Sequence, residues 1–199
     1  MATFLIDLSP SDMQRRLSDA LAIYVDAMRY PKGTEDQRAS MWMEHSRRRG
    51  WRAVAAVEVA DDAGDPPPAD RLTGAPMLGV AYGYCGSPDQ WWQQQMVAGL
   101  RRAGAAPREI GSLTASYFEL TEVHIVPRSQ GRGLGEALVR RLLLGRSERM
   151  VLLSTPEIHG EDNRAWRLYR RLGFTDVIRG HHFAGDPRAF AILGRPLPL

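Results

Sequence analysis

Val123-His124-Ile125-Val126-Pro127-Arg128-Ser129-Gln130-Gly131-Arg132-Gly133-Leu134-Gly135 is the stretch on which the fold turns. Its apolar beginning reads as a strand that ends at Pro127, and three glycines follow at alternate positions. Glu136-Ala137-Leu138-Val139-Arg140-Arg141-Leu142-Leu143 then reads as a helix, expected over about 133–147. A strand that enters a helix through bare backbone suits an anion. The N–H groups of a first helical turn have no partner in their own helix, and the helix dipole favours negative charge there. Glycine lets the main chain approach a phosphate closely and adopt positive φ.

The residues reject the two commonest phosphate loops. A dinucleotide fingerprint spaced G-x-G-x-x-G would need glycine at position 136 or 138, where Glu136 and Leu138 stand. A P-loop needs Gly-Lys-Ser/Thr, and the chain's only lysine is Lys32. The spacing Gln130-x-x-Gly133-x-Gly135 instead resembles the pyrophosphate loop of the GNAT family of acetyl-CoA-dependent N-acetyltransferases, Arg/Gln-x-x-Gly-x-Gly/Ala. Downstream, Asn163-Arg164-Ala165-Trp166-Arg167-Leu168-Tyr169-Arg170-Arg171-Leu172-Gly173-Phe174 resembles that family's second hallmark, a helix opened by Asn, carrying Tyr near its end and stopped at Gly-Phe. Local chemistry agrees: Asp162 or Asn163 can cap, Ala165, Leu168, Tyr169 and Leu172 share a face, and Gly173 supplies the stop. The resemblance covers about residues 112–178.

It implies a mixed α/β fold: a mostly antiparallel central sheet with a splayed motif strand and helices on both faces. Length agrees with one domain over 1–199, and 44% hydrophobic with 25% charged residues is an ordinary globular composition. No apolar run reaches the roughly 20 residues of a membrane span, and Met1–Asp7 lacks the basic start of a secretory signal. A single cysteine, Cys85, forms no internal disulfide, so a cytoplasmic setting is expected. The net charge of +3 does not separate an anionic cosubstrate from nucleic acid, but no nucleic-acid motif accompanies it. No membrane partner is expected; a homodimer is compatible with the family.

Periodicity predicts a strand at Phe4–Leu8, an amphipathic helix over 10–30, a second helix at Glu35–Arg49 and strands at Trp51–Ala60 and Met77–Gly86. Asp61–Pro76, rich in Asp, Pro and Gly, reads as an exposed loop. Residues 87–111 are a departure from the family, an insertion with a helix whose Trp92, Met96 and Leu100 read as core packing before any acceptor-side lid. Strands follow at Leu113–Val126, Met150–Ser154, Phe174–Ile178 and Ala189–Arg195, with the Asn163 helix between the second and third.

The resemblance places Val123 and Ile125, with His124 between them, at main-chain contacts to the cofactor's pantetheine arm. It gives Gln130, Gly131, Arg132, Gly133, Leu134 and Gly135 to the pyrophosphate, and Asn163 to the arm's other side. Acetyl transfer requires an ammonium of pKa about 10 to lose a proton and a thiolate to gain one. Glu119, which aligns with the family's strand glutamate, ranks first as base and Glu122 second; strict alternation sets them on opposite faces unless a bulge intervenes. Either could instead pair with a surface arginine. Tyr169 is the candidate proton donor to sulfur, against a plain packing role. His124 reads as a satisfied strand histidine before a relay base, and Cys85 as a buried, inert thiol. His159, His181 and His182 lack metal-ligand spacing, so no metal is expected. Arg164, Arg167 and Arg171 read as a solvated face before a phosphate contact. The acceptor stays open between a small-molecule amine and a protein lysine, and a catalytically silent acyl-CoA-binding module is the rival reading.

Overall fold

The computed structural model describes residues 1–61 and 67–199. In chain order the elements are β1 (Ala2–Leu8), α1 (Pro10–Arg15), α2 (Leu17–Met28), α3 (Thr34–His45), β2 (Arg52–Val59), α4 (Ala69–Gly74) and β3 (Met77–Cys85). Then come α5 (Trp91–Arg102), α6 (Pro107–Thr114), β4 (Tyr117–Ile125), α7 (Leu134–Leu143), β5 (Met150–Pro156), α8 (Arg164–Arg171), β6 (Thr175–His181) and β7 (Phe190–Pro196). The seven strands form a sheet in the order β1-β2-β3-β4-β5-β7-β6, and β4–β5 is a parallel pair among antiparallel ones. The mixed, mostly antiparallel α/β expectation holds. Among the described residues no helix is long and apolar enough to cross a membrane.

The chain forms two compact units, Met1–Tyr84 with Glu122–Leu144, and Cys85–Thr121 with Gly145–Leu199. In the first, β1 and β2 pair from Ala2↔Val59 to Leu8↔Ala53, and β2 continues onto β3 with a register shift at Ala56/Val57. Ala53 to Val57 are buried without break, as expected of a strand covered on both faces. The expected helix over 10–30 is two helices. Ser9 and Asp12 close a capping box on α1, and the break falls at Arg16, whose guanidinium donates to the carbonyls of Thr73, in the last turn of α4, and Ala75, just past it. Both helices keep an apolar face, so periodicity bridges the break. The expected loop Asp61–Pro76 is corrected in part: Ala69–Gly74 is helical, and residues 62–66 lie outside the described residues.

In the second unit β5 pairs with β7 and β7 with β6, so the last strand inserts beside β5. Trp92, Met96 and Leu100 of α5 pack with Tyr117, Leu152 and Ile192 in one core, which supports the packing reading of that stripe. A helix the sequence reading did not include, α6, begins at Pro107, and the Glu109 carboxylate accepts from the Ala106 N–H at 2.9 Å. It takes in Leu113 and Thr114, so the motif strand starts at Tyr117 and not at Leu113.

Gly79 of β3 shows how tightly the first unit packs. A Cβ there would lie 2.4 Å from Ile125 Cδ1 and 2.9 Å from the His124 carbonyl oxygen. Backbone must then move, so Gly79→Ala is expected to cost about 1–3 kcal/mol. A fall in the urea midpoint with an unchanged m-value is the signature to measure.

Candidate active site

Strand β4 changes character along its length. Tyr117 to Leu120 are buried, and Thr121, Glu122 and Val123 are half-buried. Its parallel ladder with β5 covers Tyr117–Glu119 against Met150–Leu152 and stops there. The β3–β4 pairing also slips: the Gly86 N–H donates to Tyr117 O and the Val126 N–H to Leu78 O, so nine steps along β4 answer eight along β3. One extra residue of this kind is a β-bulge.

In the first unit, the phosphate-loop candidates lie directly beyond β4. Pro127–Ser129 makes one 3-10 turn, the Gln130 side chain donates to Ile125 O at 3.0 Å, and Ser129 is buried beneath. Gln130 therefore braces the loop against the strand end. Gly131 and Gly133 have φ of +82° and +80°, the left-handed region where a side chain is strained, and a Cβ on either would meet open space. Gly133 is the N-cap of α7, whose first helical bond runs from the Ala137 N–H to Gly133 O. The amides of Leu134 and Gly135 precede it and have no partner within their own helix. Arg128 and Arg132 are exposed nearby in the sequence, and Glu136, a negative charge in the first turn, is drawn off by Arg140 at 2.9 Å. What remains is a positive helix terminus of backbone amides.

Glu122 and His124 of the same unit meet. His124 Nε2 lies 2.5 Å from Glu122 Oε2, with side-chain exposures of 9% and 17%. The imidazole sits edge-on to Tyr24, 5.0 Å between centroids, and near-parallel to Trp42 at 6.5 Å. Burial first, then the Glu122 charge, pushes the Tyr24 phenol above its ordinary range. His124 is thus a satisfied strand histidine, but its partner is the candidate base. Position i,i+2 in a strand was the available signal, since such residues share a face.

In the second unit Glu119 is buried, 3% exposed, and is the second cause, after burial, of the raised Tyr117 phenol. That phenol donates to Gln93 Oε1 at 2.9 Å. Asn163 caps α8 through its side chain, accepting from the Trp166 N–H at 2.9 Å, so its oxygen serves the helix. Tyr169 is buried and lies edge-on to Phe174 at 5.7 Å. Arg167 pairs with Asp162, while Arg164 and Arg171 are exposed, in keeping with a solvated face. Cys85 corrects the buried-thiol expectation: it is half-buried, 3.1 Å from Glu148 Oε1 and 3.4 Å from Arg146 Nη2. Among the described residues no group of three His, Cys, Asp or Glu could hold a metal ion.

Residues 91–174 match the acetyltransferase (GNAT) family. A GCN5-like protein acetyltransferase of Mycobacterium tuberculosis is 71% identical over 206 aligned positions, covering 100% of both chains. The chain belongs to the GNAT acetyltransferase family. Its fold is shared by an acetyltransferase of that family from Desulfovibrio desulfuricans, with a TM-score of 0.62 at 16% identity over 98% of this chain and 99% of the other. It is shared too by the ribosomal-protein-S18-alanine N-acetyltransferase of Escherichia coli, with a TM-score of 0.57 at 16% identity over 100% and 96%. The enzyme is accordingly an acyltransferase of this family. The family match starts at Trp91, so most of the segment read as an insertion lies within the matched span.

His45 gives a stability test in the first unit. Its Nδ1 lies 3.0 Å from the Tyr82 hydroxyl, and burial, then Arg48, depress its pKa from 6.5 to about 4. Folding thus favours the neutral ring. Its contribution is complete above the unfolded value of 6.5 and is lost as pH falls toward about 4. His45→Gln should flatten the decline of the urea midpoint through that window; an unaltered slope would contradict it.

Proposed function

We propose that this acetyltransferase uses acetyl-CoA and acetylates an amine of a protein. The observation that carries the reading is β4, which leaves its ladder with β5 after Glu119 and becomes half-buried just ahead of the glycine turn. Main-chain groups of Val123 and Ile125 would pair with the pantetheine arm as an added strand, although Ile125 O already accepts from Gln130. The amides of Gly131 to Gly135, with Arg132 beside them, would hold the diphosphate. Support for a protein acceptor comes from the 71% identical relative, which is named a protein acetyltransferase. A cytoplasmic setting belongs to the same proposal, supported by the lone half-buried thiol.

The chemistry follows. An ammonium gives one proton to a carboxylate, directly or through water, and the freed lone pair attacks the thioester carbon. As the C–N bond forms and the C–S bond breaks, the nitrogen's surplus proton balances the one taken up by the departing thiolate. Glu122 is the base in this reading, since it is the less buried glutamate; Glu119 is its competitor by family position. Tyr169 donates to sulfur, and Asn163 contributes by fixing the start of the helix that bears it.

Release of free thiol from acetyl-CoA should occur with lysine-bearing or N-terminal peptides and be weaker with small amines. Binding of acetyl-CoA without turnover on any amine would leave the silent module standing. Glu122→Gln should lower kcat/KM by about 10²–10⁴-fold at neutral pH, whereas Glu119→Gln should do less; the reverse order would return the role to Glu119. Tyr169→Phe should reduce kcat with little change in KM for acetyl-CoA, and an unchanged kcat would mark Tyr169 as packing alone.

A further inference from the structure

We propose that His124 is a positioning residue for acetyl transfer. Its Nε2–H donates to Glu122 Oε2 and fixes the carboxylate in the rotamer that receives the amine proton. This rests on Glu122 being the base. Three observations bear on it. First, the contact is short, 2.5 Å, and both side chains are mostly withdrawn from water, where a hydrogen bond to a charged group counts for more than at the surface. Second, aromatic rings flank the imidazole. Tyr24 meets it edge-on at 5.0 Å and Trp42 lies near-parallel at 6.5 Å with a 22° interplanar angle. Trp42 is itself wedged against Tyr82 at 4.9 Å and is fully buried. Third, among the described residues the titratable or charged groups packed around these rings are Tyr24 of α2, which meets the pair, and behind it Tyr30 just beyond α2, Arg38 and His45 of α3, and Tyr82 of β3.

Arg38 lies over the Tyr24 ring, 5.9 Å from its centroid, and so reaches the pair through that ring. His45 is held neutral by burial. The imidazole N–H is therefore the donor the structure shows on the Glu122 carboxylate. A flexible glutamate without it would spread over several rotamers and spend less time in reach of the amine.

The experiment compares His124→Ala and His124→Gln in the full chain, with acetyl-CoA and a lysine peptide. Gln can present an N–H near the position of Nε2, and Ala cannot. His124→Ala should lose about 10- to 100-fold in kcat, the worth of one hydrogen bond to a charged group. The Kd for acetyl-CoA, read by calorimetry, should stay at the wild-type value. His124→Gln should recover most of the loss. Should His124→Ala fail to fold, His124→Met against His124→Gln makes the same comparison with a chain of similar length. Equal kcat in both variants would overturn the proposal while Glu122→Gln remains slow. An active Glu122→Gln would instead overturn the base assignment on which it rests.

Discussion

Three residues of parallel pairing set the rest in place. Tyr117–Glu119 of β4 are laddered to Met150–Leu152 of β5, and beyond Glu119 the pairing ends. Main-chain N–H and C=O groups need partners, and a strand that gives up its neighbour must find them elsewhere. The shift in burial at Thr121 follows the same boundary. A strand closed at one end and open at the other offers a template for an extended ligand, with little demand on the identity of its side chains. The contacts proposed for Val123 and Ile125 are of this main-chain kind, and ordinary apolar residues suffice for them.

The turn that follows meets a second constraint. Entry into α7 requires φ near +80° at both Gly131 and Gly133, and open space surrounds both. Backbone conformation, and not crowding, is what excludes side chains there. The Gln130 amide holds the turn to Ile125 O, and Arg140 withdraws Glu136 from the helix terminus. Conformation and charge thus act together on one small stretch. Aromatic packing accompanies the preceding strand: Tyr24 and Trp42 flank an imidazole, and the imidazole meets a carboxylate.

Legibility in the sequence followed the range of the interactions. The capping box of Ser9 and Asp12, the Asn163 cap and the glycine turn are local, and their residues stand within a few positions of each other. They could be read directly. The break between α1 and α2 could not, because its cause is a guanidinium reaching carbonyls 57 and 59 residues away. Helix α6 carries a readable start in Pro107 and Glu109, which lay within a segment treated as one insertion. The extra residue of β4 against β3 is likewise set by pairing between strands distant in sequence.

By itself, the order of residues determined the family, the glycine turn and the helix that bears Tyr169. These rest on backbone conformation and capping, which short runs of residue types dictate. Tertiary structure decided what each carboxylate touches. Glu119 and Glu122 are chemically identical and three positions apart, yet one is buried beside a tyrosine and the other bonded to an imidazole. Burial and hydrogen-bond partners depend on elements far away in the chain, on α2 and α3 for Glu122 and on α5 for the tyrosine beside Glu119. No local pattern encodes such partners, because distant segments acquire them only when they pack.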